Sequence, residues 1–280
     1  MSQSVTADYD KIGLYEQNEI NGLTEQTLQT LLDCVEPNKT SHVLDAMGGD
    51  GNLTMQLLDY CQTANIKPPH CTLLEISQVQ TELARAKFPA DGTDIIWGDL
   101  LTATSLNDNQ ALKEQQYDRI MVKSANHEIP LKSQETLHRN LFRLLKPGGK
   151  LINLGFVFDS EVLRDEVRVL AEAKDTLAGM KNTAINRHFL LRDEYYACLS
   201  NVGFKNITNK AAFNYHIRSE VVANNYFAAE QREALDLENQ AIQAKQKNLR
   251  QHGHIVFTNT GSILKFPGEI TVCEKPDVAA

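Results

Sequence analysis

The amino-acid sequence predicts an α/β fold in which helices cover both faces of an open sheet. Three observations support this. An apolar segment at residues 43–44 runs into a glycine cluster and then into a helical pattern, the order of strand, tight turn and helix. Acidic side chains follow two further apolar runs, at Glu75 and Asp99. A helical segment at residues 131–145 then precedes another apolar run at residues 151–156, and such alternation is typical of α/β folds.

The glycine cluster of Gly48, Gly49 and Gly51 predicts a ligand site at the start of the following helix. Glycine lets the backbone approach a ligand where a Cβ atom would collide, and the first turn of a helix has unpaired N–H groups. Thr54 stands where a dinucleotide loop would have its third glycine, and the loop lacks the lysine of a phosphate-binding loop. Asp45 suits a ligand that carries an ammonium group. The pattern therefore favours S-adenosylmethionine over NAD.

The segment V-L-D-A-M-G-G-D-G, residues 43–51, resembles the first motif of the class I S-adenosylmethionine-dependent methyltransferases of the small-molecule type. Gly49 and Gly51 match glycines of that motif, whereas Met47 stands where the family most often has its first glycine. The segment L-L-K-P-G-G-K-L, residues 144–151, resembles a later architectural motif. The resemblance implies a Rossmann-like sheet of seven strands, with helices on both faces and an antiparallel last strand.

The resemblance also implies a set of cofactor contacts at the strand ends. Glu75 would accept hydrogen bonds from the ribose hydroxyls, and Asp99 would reach the adenine amino group. Glu75 could instead be an exposed acid at a strand end, but three acids at successive strand ends are more specific than one. The implied cofactor-binding residues are Asp45, Met47, Gly49, Gly51, Asn52, Glu75, Ile76, Asp99, Leu100, Lys123, Ser124 and Tyr15.

The loop after the fourth predicted strand, residues 123–130, falls where the methyl group would be delivered. His127 could remove a proton from the acceptor because the ordinary pKa of histidine lies near working pH. Glu128 could do the same or bind a cationic acceptor. Alternatively, both side chains only hydrogen-bond the loop, since methyl transfer can proceed by alignment of the reactants alone.

Candidate acceptor-binding residues come from three separated segments: Tyr9, Asn126 and Tyr226, with His216 and Phe227 as weaker candidates. In the family, N-terminal tyrosines often close over the cofactor, although Tyr9 and Tyr15 could equally pack a helix onto the sheet. The predicted organisation is an N-terminal helical lid at 1–40, an α/β core at 41–215, a helical insertion at 216–253 and the last strand or strands at 254–280.

Composition limits the classes of partner. The net charge of −8 argues against a general nucleic-acid binder or a binder of anionic membranes. There is no apolar run long enough to span a membrane and no signal peptide, and the five cysteines are scattered. These features predict a cytoplasmic protein with reduced thiols. No metal-ligand spacing is present, so metal independence is expected. A homodimer through the insertion is left open.

The leading hypothesis is an S-adenosylmethionine-dependent methyltransferase that acts on a small-molecule O, N or S nucleophile by in-line transfer. One alternative is a different enzyme on the same fold, which uses nicotinamide or transfers an aminopropyl group. The missing third glycine and the lack of an acidic cluster after the fourth strand count against these. The other alternative is a non-catalytic binding or scaffold protein, against which the intact acids at the strand ends argue.

Overall fold

One mixed sheet runs through the structure, a computed structural model that describes residues 23–88, 92–177, 179–219, 241–259 and 261–277. The strands are β1 (His42–Ala46), β2 (His70–Glu75), β3 (Thr93–Asp99), β4 (Thr104–Ser105), β5 (Tyr117–Lys123), β6 (Leu145–Phe158), β7 (Leu190–Leu191), β8 (Lys205–Arg218), β9 (Ile255–Thr258) and β10 (Gly261–Glu274). Their order across the sheet is β4-β3-β2-β1-β5-β6-β10-β8, with β7 beside β6 and β9 beside β10.

Five long strands, β3, β2, β1, β5 and β6, are parallel and place their carboxyl ends at one edge. The last strand, β10, is antiparallel to both β6 and β8, as the resemblance implied. Among the described residues the sheet has ten strands, three more than the seven that the resemblance implied. The short strands β4, β7 and β9 have only two to four residues each, too few to show a recognisable pattern.

The helices lie on both faces of this sheet, which confirms the predicted α/β architecture. They are α1 (Glu25–Val35), α2 (Asn52–Thr63), α3 (Gln78–Lys87), α4 (Leu131–Leu144), α5 (Glu161–Leu177), α6 (Lys181–Asn186), α7 (Arg192–Val202) and α8 (Lys247–Gln251). Alternate strand residues enter two separate apolar clusters: Val43 contributes to the cluster with α1, α2 and α5, and Leu44 to the cluster with α4 and α7. Successive side chains of a strand point to opposite faces. None of the described helices has the length and apolar composition needed to cross a bilayer.

The dipeptide Pro267-Gly268 predicts a turn before the last strand, but this prediction is wrong because both residues lie inside β10. Pro267 is opposite Asn214, and Gly268 is opposite Phe213. A Cβ atom on Gly268 would come within 2.7 Å of the Tyr215 ring and within 2.8 Å of the Phe213 ring. The glycine therefore makes room for two aromatic rings that lie over the strand, and glycine in a strand often marks such a close approach.

The predicted lid and insertion fall partly outside the described residues, so the division into domains stays a prediction. Within the described part, α1 begins after its N-cap Thr24, whose hydroxyl accepts from the Thr27 N–H. Its Leu31 and Val35 are fully buried against the sheet. At the other predicted boundary, β8 continues to Arg218, beyond residue 215.

An ion-pair cluster ties the end of α1 to the amino ends of β5 and β6. Glu36 follows α1, and its carboxylate lies 3.0 Å from Arg119 Nη2, 2.6 Å from Lys150 Nζ and 3.1 Å from Lys39 Nζ. Hydrogen bonding from Lys150 is the largest influence, and the cluster lowers the pKa of Glu36 to about 2, against the opposing effect of burial. The carboxylate therefore stays ionised in the folded protein well below its ordinary pKa.

Replacement Glu36→Gln is expected to lower the free energy of unfolding at pH 7 by about 1–2 kcal/mol. The pKa of Glu36 is lowered on folding, so its stabilisation is present above the ordinary pKa of 4.5 and is lost as the pH falls towards 2. Denaturant titrations at pH 7 and pH 3 should show the difference between wild type and variant shrinking. Glu114→Gln, which breaks an exposed ion pair with Arg143, is the control and should change little. An equal effect of both variants would contradict the assignment.

Candidate cofactor and acceptor site

Asp45 fixes the geometry of the glycine loop at the end of β1. It is 2% exposed, and its Oδ2 accepts from the backbone N–H of Thr54, 3.1 Å away, and from the Thr54 hydroxyl, 2.7 Å away. A Cβ atom on Gly48 would come within 2.9 Å of the Asp45 carboxyl carbon. The acid thus connects the strand to the first turn of α2, where the helix dipole favours a negative charge. Its direct contact with cofactor stays a proposal.

Glu75 joins the glycine loop to the next strand end. Its Oε2 accepts from the Gly49 N–H at 3.0 Å, and its Oε1 accepts from the Ser77 N–H at 2.7 Å. The glutamate is 8% exposed. Both carboxylate oxygens therefore contact backbone donors of two different loops, and charge-assisted bonds of this kind are stronger than neutral ones. Gly51 is the N-cap of α2, with φ +85°, and Asn52 is the first residue of that helix.

Four of the predicted cofactor residues line one pocket at the carboxyl edge of β2 and β3: Met47, Ile76, Asp99 and Leu100. The other lining residues are apolar or small, namely Leu74, Gly98, Leu101, Ile129 and Leu137. Asp99 contributes the one carboxylate, and its Oδ1 accepts from the Leu101 N–H at 2.8 Å. Met47 has φ +58°, a left-handed conformation that is uncommon outside glycine. Glycine would adopt this conformation without strain.

Two further predicted cofactor residues lie at the end of β5: Lys123 is the last residue of the strand, and Ser124 follows it. Lys123 is buried as the last residue of the strand. Ser124 has φ +54°, and its N–H donates to the Leu154 carbonyl at 2.7 Å. Its hydroxyl lies 2.9 Å from the hydroxyl of Tyr215, a residue that the sequence analysis did not single out.

The short turn Asn126–Glu128 carries the candidate catalytic residues. The ring of His127 stacks on Phe189, with centroids 5.4 Å apart, and meets Phe156 edge-on at 4.7 Å. Burial lowers the pKa of His127 well below its usual range, and the positive charges of Arg187 and Lys174 lower it further. The imidazole is therefore neutral at working pH.

The surroundings of the turn are polar on one side. The backbone carbonyl of Asn126 accepts from Gln134 Nε2 at 2.8 Å. Glu128 is half-buried. Burial lowers the pKa of Lys174, and the negative charges of Asp175 and Glu128 oppose this shift only in part. Asp175 is itself fully buried between Lys174 and Arg187. The sequence offered no signal for this ion-pair cluster.

Four predicted site residues lie outside the described part of the chain: the cofactor candidate Tyr15 and the acceptor candidates Tyr9, Tyr226 and Phe227. His216 neighbours Tyr215 in β8 and is exposed, and since side chains alternate along a strand it points away from the Tyr215 face. Asn126, in contrast, lies in the same turn as His127.

Comparison with known proteins identifies the family of one segment of the chain. Residues 43–149, which span β1 to the middle of β6, match the family model described as a methyltransferase domain. This segment is a methyltransferase domain. The resemblance drawn from the glycine loop is thereby confirmed at the level of a methyltransferase domain, and so is the enzyme class. No curated protein matches the chain.

Solved structures share the fold at low sequence identity. The YcgJ protein of Bacillus subtilis is 14% identical, with a TM-score of 0.71, and the match covers 91% of this chain and 100% of that one. A Bacillus halodurans C-125 protein provisionally named a methyltransferase is 15% identical, with a TM-score of 0.68 and coverage of 90% and 99%. Phosphoethanolamine N-methyltransferase 2 of Haemonchus contortus, solved with phosphomonomethylethanolamine and S-adenosylhomocysteine, is 13% identical, with a TM-score of 0.56 and coverage of 97% and 57%. Likeness at this level shows the fold alone.

The donor set fits S-adenosylmethionine. The pocket around Ile76 and Leu100 is lined mainly by apolar side chains, which suits an adenine ring, and Asp99 supplies the one carboxylate of this lining. Glu75 lies between that pocket and the glycine loop, where ribose hydroxyls would need an acceptor. Across the described ranges, His, Cys, Asp and Glu side chains form no group of three that could hold a metal ion.

Proposed function

We propose that the protein transfers the methyl group of S-adenosylmethionine to an oxygen, nitrogen or sulfur atom of a small molecule. The observation that carries this proposal is the convergence of Asp45, Glu75 and Asp99 from three parallel strand ends on the glycine loop and one apolar pocket. Ligands of open α/β sheets bind outside the carboxyl ends of the strands. The net charge of −8 supports a small acceptor over a nucleic acid.

In this proposal Glu75 binds the ribose, and Asp99 binds the adenine amino group. The rest of the nucleoside contacts the glycine loop and the pocket residues beside it, namely Met47, Gly49, Gly51, Asn52, Ile76 and Leu100. Lys123 and Ser124 flank the methyl donor end, together with Asp45. When bound, S-adenosylmethionine supplies an electrophilic methyl carbon. The chain's own residues then align the acceptor and exclude water.

His127 is the proposed proton acceptor at the acceptor side. Its Nδ1 is buried and has no hydrogen-bond partner among the described residues, and in the neutral tautomer with its proton on Nε2 this nitrogen accepts a proton from an acceptor group. The low pKa makes it a weak base, which suits an acceptor that loses its proton as the new bond forms. Glu128, on the same turn, is proposed to orient a cationic part of the acceptor, with Asn126 beside it.

The proposal is tested by following S-adenosylhomocysteine formation with methyl-labelled cofactor and a panel of small hydroxyl, amine and thiol compounds. Label should appear in at least one class, faster than in reactions without acceptor. Formation of S-adenosylhomocysteine at the background rate with every class would contradict methyl transfer to small molecules. It would favour the alternative of a binding protein on the same fold.

With an acceptor in hand, His127→Phe is expected to reduce turnover about 100-fold or more, with unchanged affinity for S-adenosylhomocysteine. Phenylalanine retains the ring contacts with Phe156 and Phe189 but has no nitrogen, so the change isolates the proton-accepting role. The control is His138→Phe at a fully buried histidine of α4 that packs on Tyr195. Steady-state kinetics measures both variants. Full turnover in the His127 variant would remove this residue from the catalytic proposal.

A further inference from the structure

The turn after β5 is held in a conformation that its sequence disfavours. Ser124 has φ +54°, and a side chain with a Cβ atom rarely occupies this left-handed region. Such a conformation persists only where the surrounding structure over-determines it, and it occurs preferentially at functional sites. Ser124 lies between the strand that carries Lys123 and the turn that carries His127, at the point where the proposed cofactor and acceptor sites meet.

Two hydrogen bonds hold Ser124 in this conformation. Its N–H donates to the Leu154 carbonyl of β6 at 2.7 Å, which fixes the backbone to the adjacent strand. Its hydroxyl pairs with the hydroxyl of Tyr215 at 2.9 Å. Tyr215 belongs to β8, and β6 and β10 lie between β8 and β5 in the sheet. The tyrosine side chain thus crosses the face of the sheet to reach the turn.

The path of the Tyr215 side chain is built into the fold. Gly268 in β10 leaves space for the ring, because a Cβ atom there would come within 2.7 Å of Tyr215 Cε2. Phe156 packs on the ring with centroids 4.2 Å apart, and Phe213 packs at 5.0 Å. Tyr215 is fully buried. Its hydroxyl can therefore hold Ser124 at a defined position without being able to swing away.

We propose that Tyr215 is a positioning residue for the cofactor site. Its hydroxyl holds Ser124 in the left-handed conformation. This conformation directs Lys123 and Ser124 towards the proposed cofactor. This inference rests on the proposed function. It assigns Tyr215 a role that depends on one hydroxyl group and on the strain at Ser124, beyond the packing of its ring.

The test combines Tyr215→Phe with Ser124→Ala in a double-mutant cycle and measures affinity for S-adenosylhomocysteine by calorimetric titration. Tyr215→Phe keeps the ring and removes the hydroxyl, and should weaken binding about tenfold, the equivalent of one neutral hydrogen bond. Because both changes remove the same hydrogen bond, the double variant should bind no more weakly than the weaker single variant. Ser124→Ala removes the other partner of the same bond and should reproduce the loss seen with Tyr215→Phe.

Tyr195→Phe is the matched control, since Tyr195 is also fully buried but packs on His138, and it should leave affinity unchanged. Unchanged affinity in Tyr215→Phe would overturn the inference, as would losses that add up in the double variant, because two independent packing defects would be additive. Absence of binding in the wild-type protein would contradict the proposed function itself. The two failures are therefore distinguishable.

Discussion

Replacement Gly51→Ala is expected to lower the free energy of unfolding by about 2–4 kcal/mol and to weaken S-adenosylhomocysteine binding roughly 100-fold. Gly51 has φ +85°, and a Cβ atom there would collide with Phe88 Cε2 and would lie 3.1 Å from Leu73 Cδ1. Both neighbours are buried, so the loop itself must shift. A shifted loop moves the N–H of Gly49 away from Glu75.

Denaturant unfolding and calorimetric titration measure the two effects. Gly92→Ala provides the matched control, because a Cβ atom at Gly92 would meet nothing within 4 Å; its effect on unfolding should stay within about 0.5 kcal/mol. If Gly51→Ala binds S-adenosylhomocysteine as wild type does, the glycine loop cannot be the cofactor site.

Replacement Glu75→Gln is expected to have the second largest effect, again weakening S-adenosylhomocysteine binding about 100-fold. The Glu75 carboxylate accepts from the N–H groups of Gly49 and Ser77. An amide would turn an NH₂ group towards one of these donors and leave it unpaired. The ribose would lose its charged acceptor at the same time.

The two contributions can be separated with an analogue of S-adenosylhomocysteine that lacks both ribose hydroxyls. If Glu75 contacts the ribose, the loss caused by Glu75→Gln should be smaller with the analogue than with the intact ligand. Glu82→Gln, at an exposed position of α3, should change neither affinity. An equal loss with both ligands would restrict Glu75 to shaping the loop.

Local sequence patterns were sufficient to predict the first half of the fold. The apolar runs that end at Asp45, Glu75 and Asp99 predicted three strands whose carboxyl ends meet at one edge, because parallel strands bury continuous apolar segments. The helix after Thr24 could be located from its cap and its apolar spacing. These signals depend on neighbours in sequence.

Other parts of the site depend on residues distant in sequence. Tyr215 reaches Ser124 across 91 positions, and no local pattern encodes such a contact. Gly268 predicted a turn after Pro267, although its actual role is to make room for Tyr215 and Phe213 in the middle of β10. A glycine that makes room for a neighbouring side chain cannot be distinguished in the sequence from a glycine that forms a turn. The positive φ of Met47 was likewise hidden.

Calorimetric titration of the purified protein with S-adenosylhomocysteine and, separately, with NAD tests the central claim most directly. The proposed cofactor site predicts micromolar binding of S-adenosylhomocysteine and no measurable binding of NAD. Binding of NAD alone would contradict the interpretation of the glycine loop and of the acids Asp45, Glu75 and Asp99. Binding of neither ligand would contradict the cofactor site and favour a non-catalytic role for the same fold.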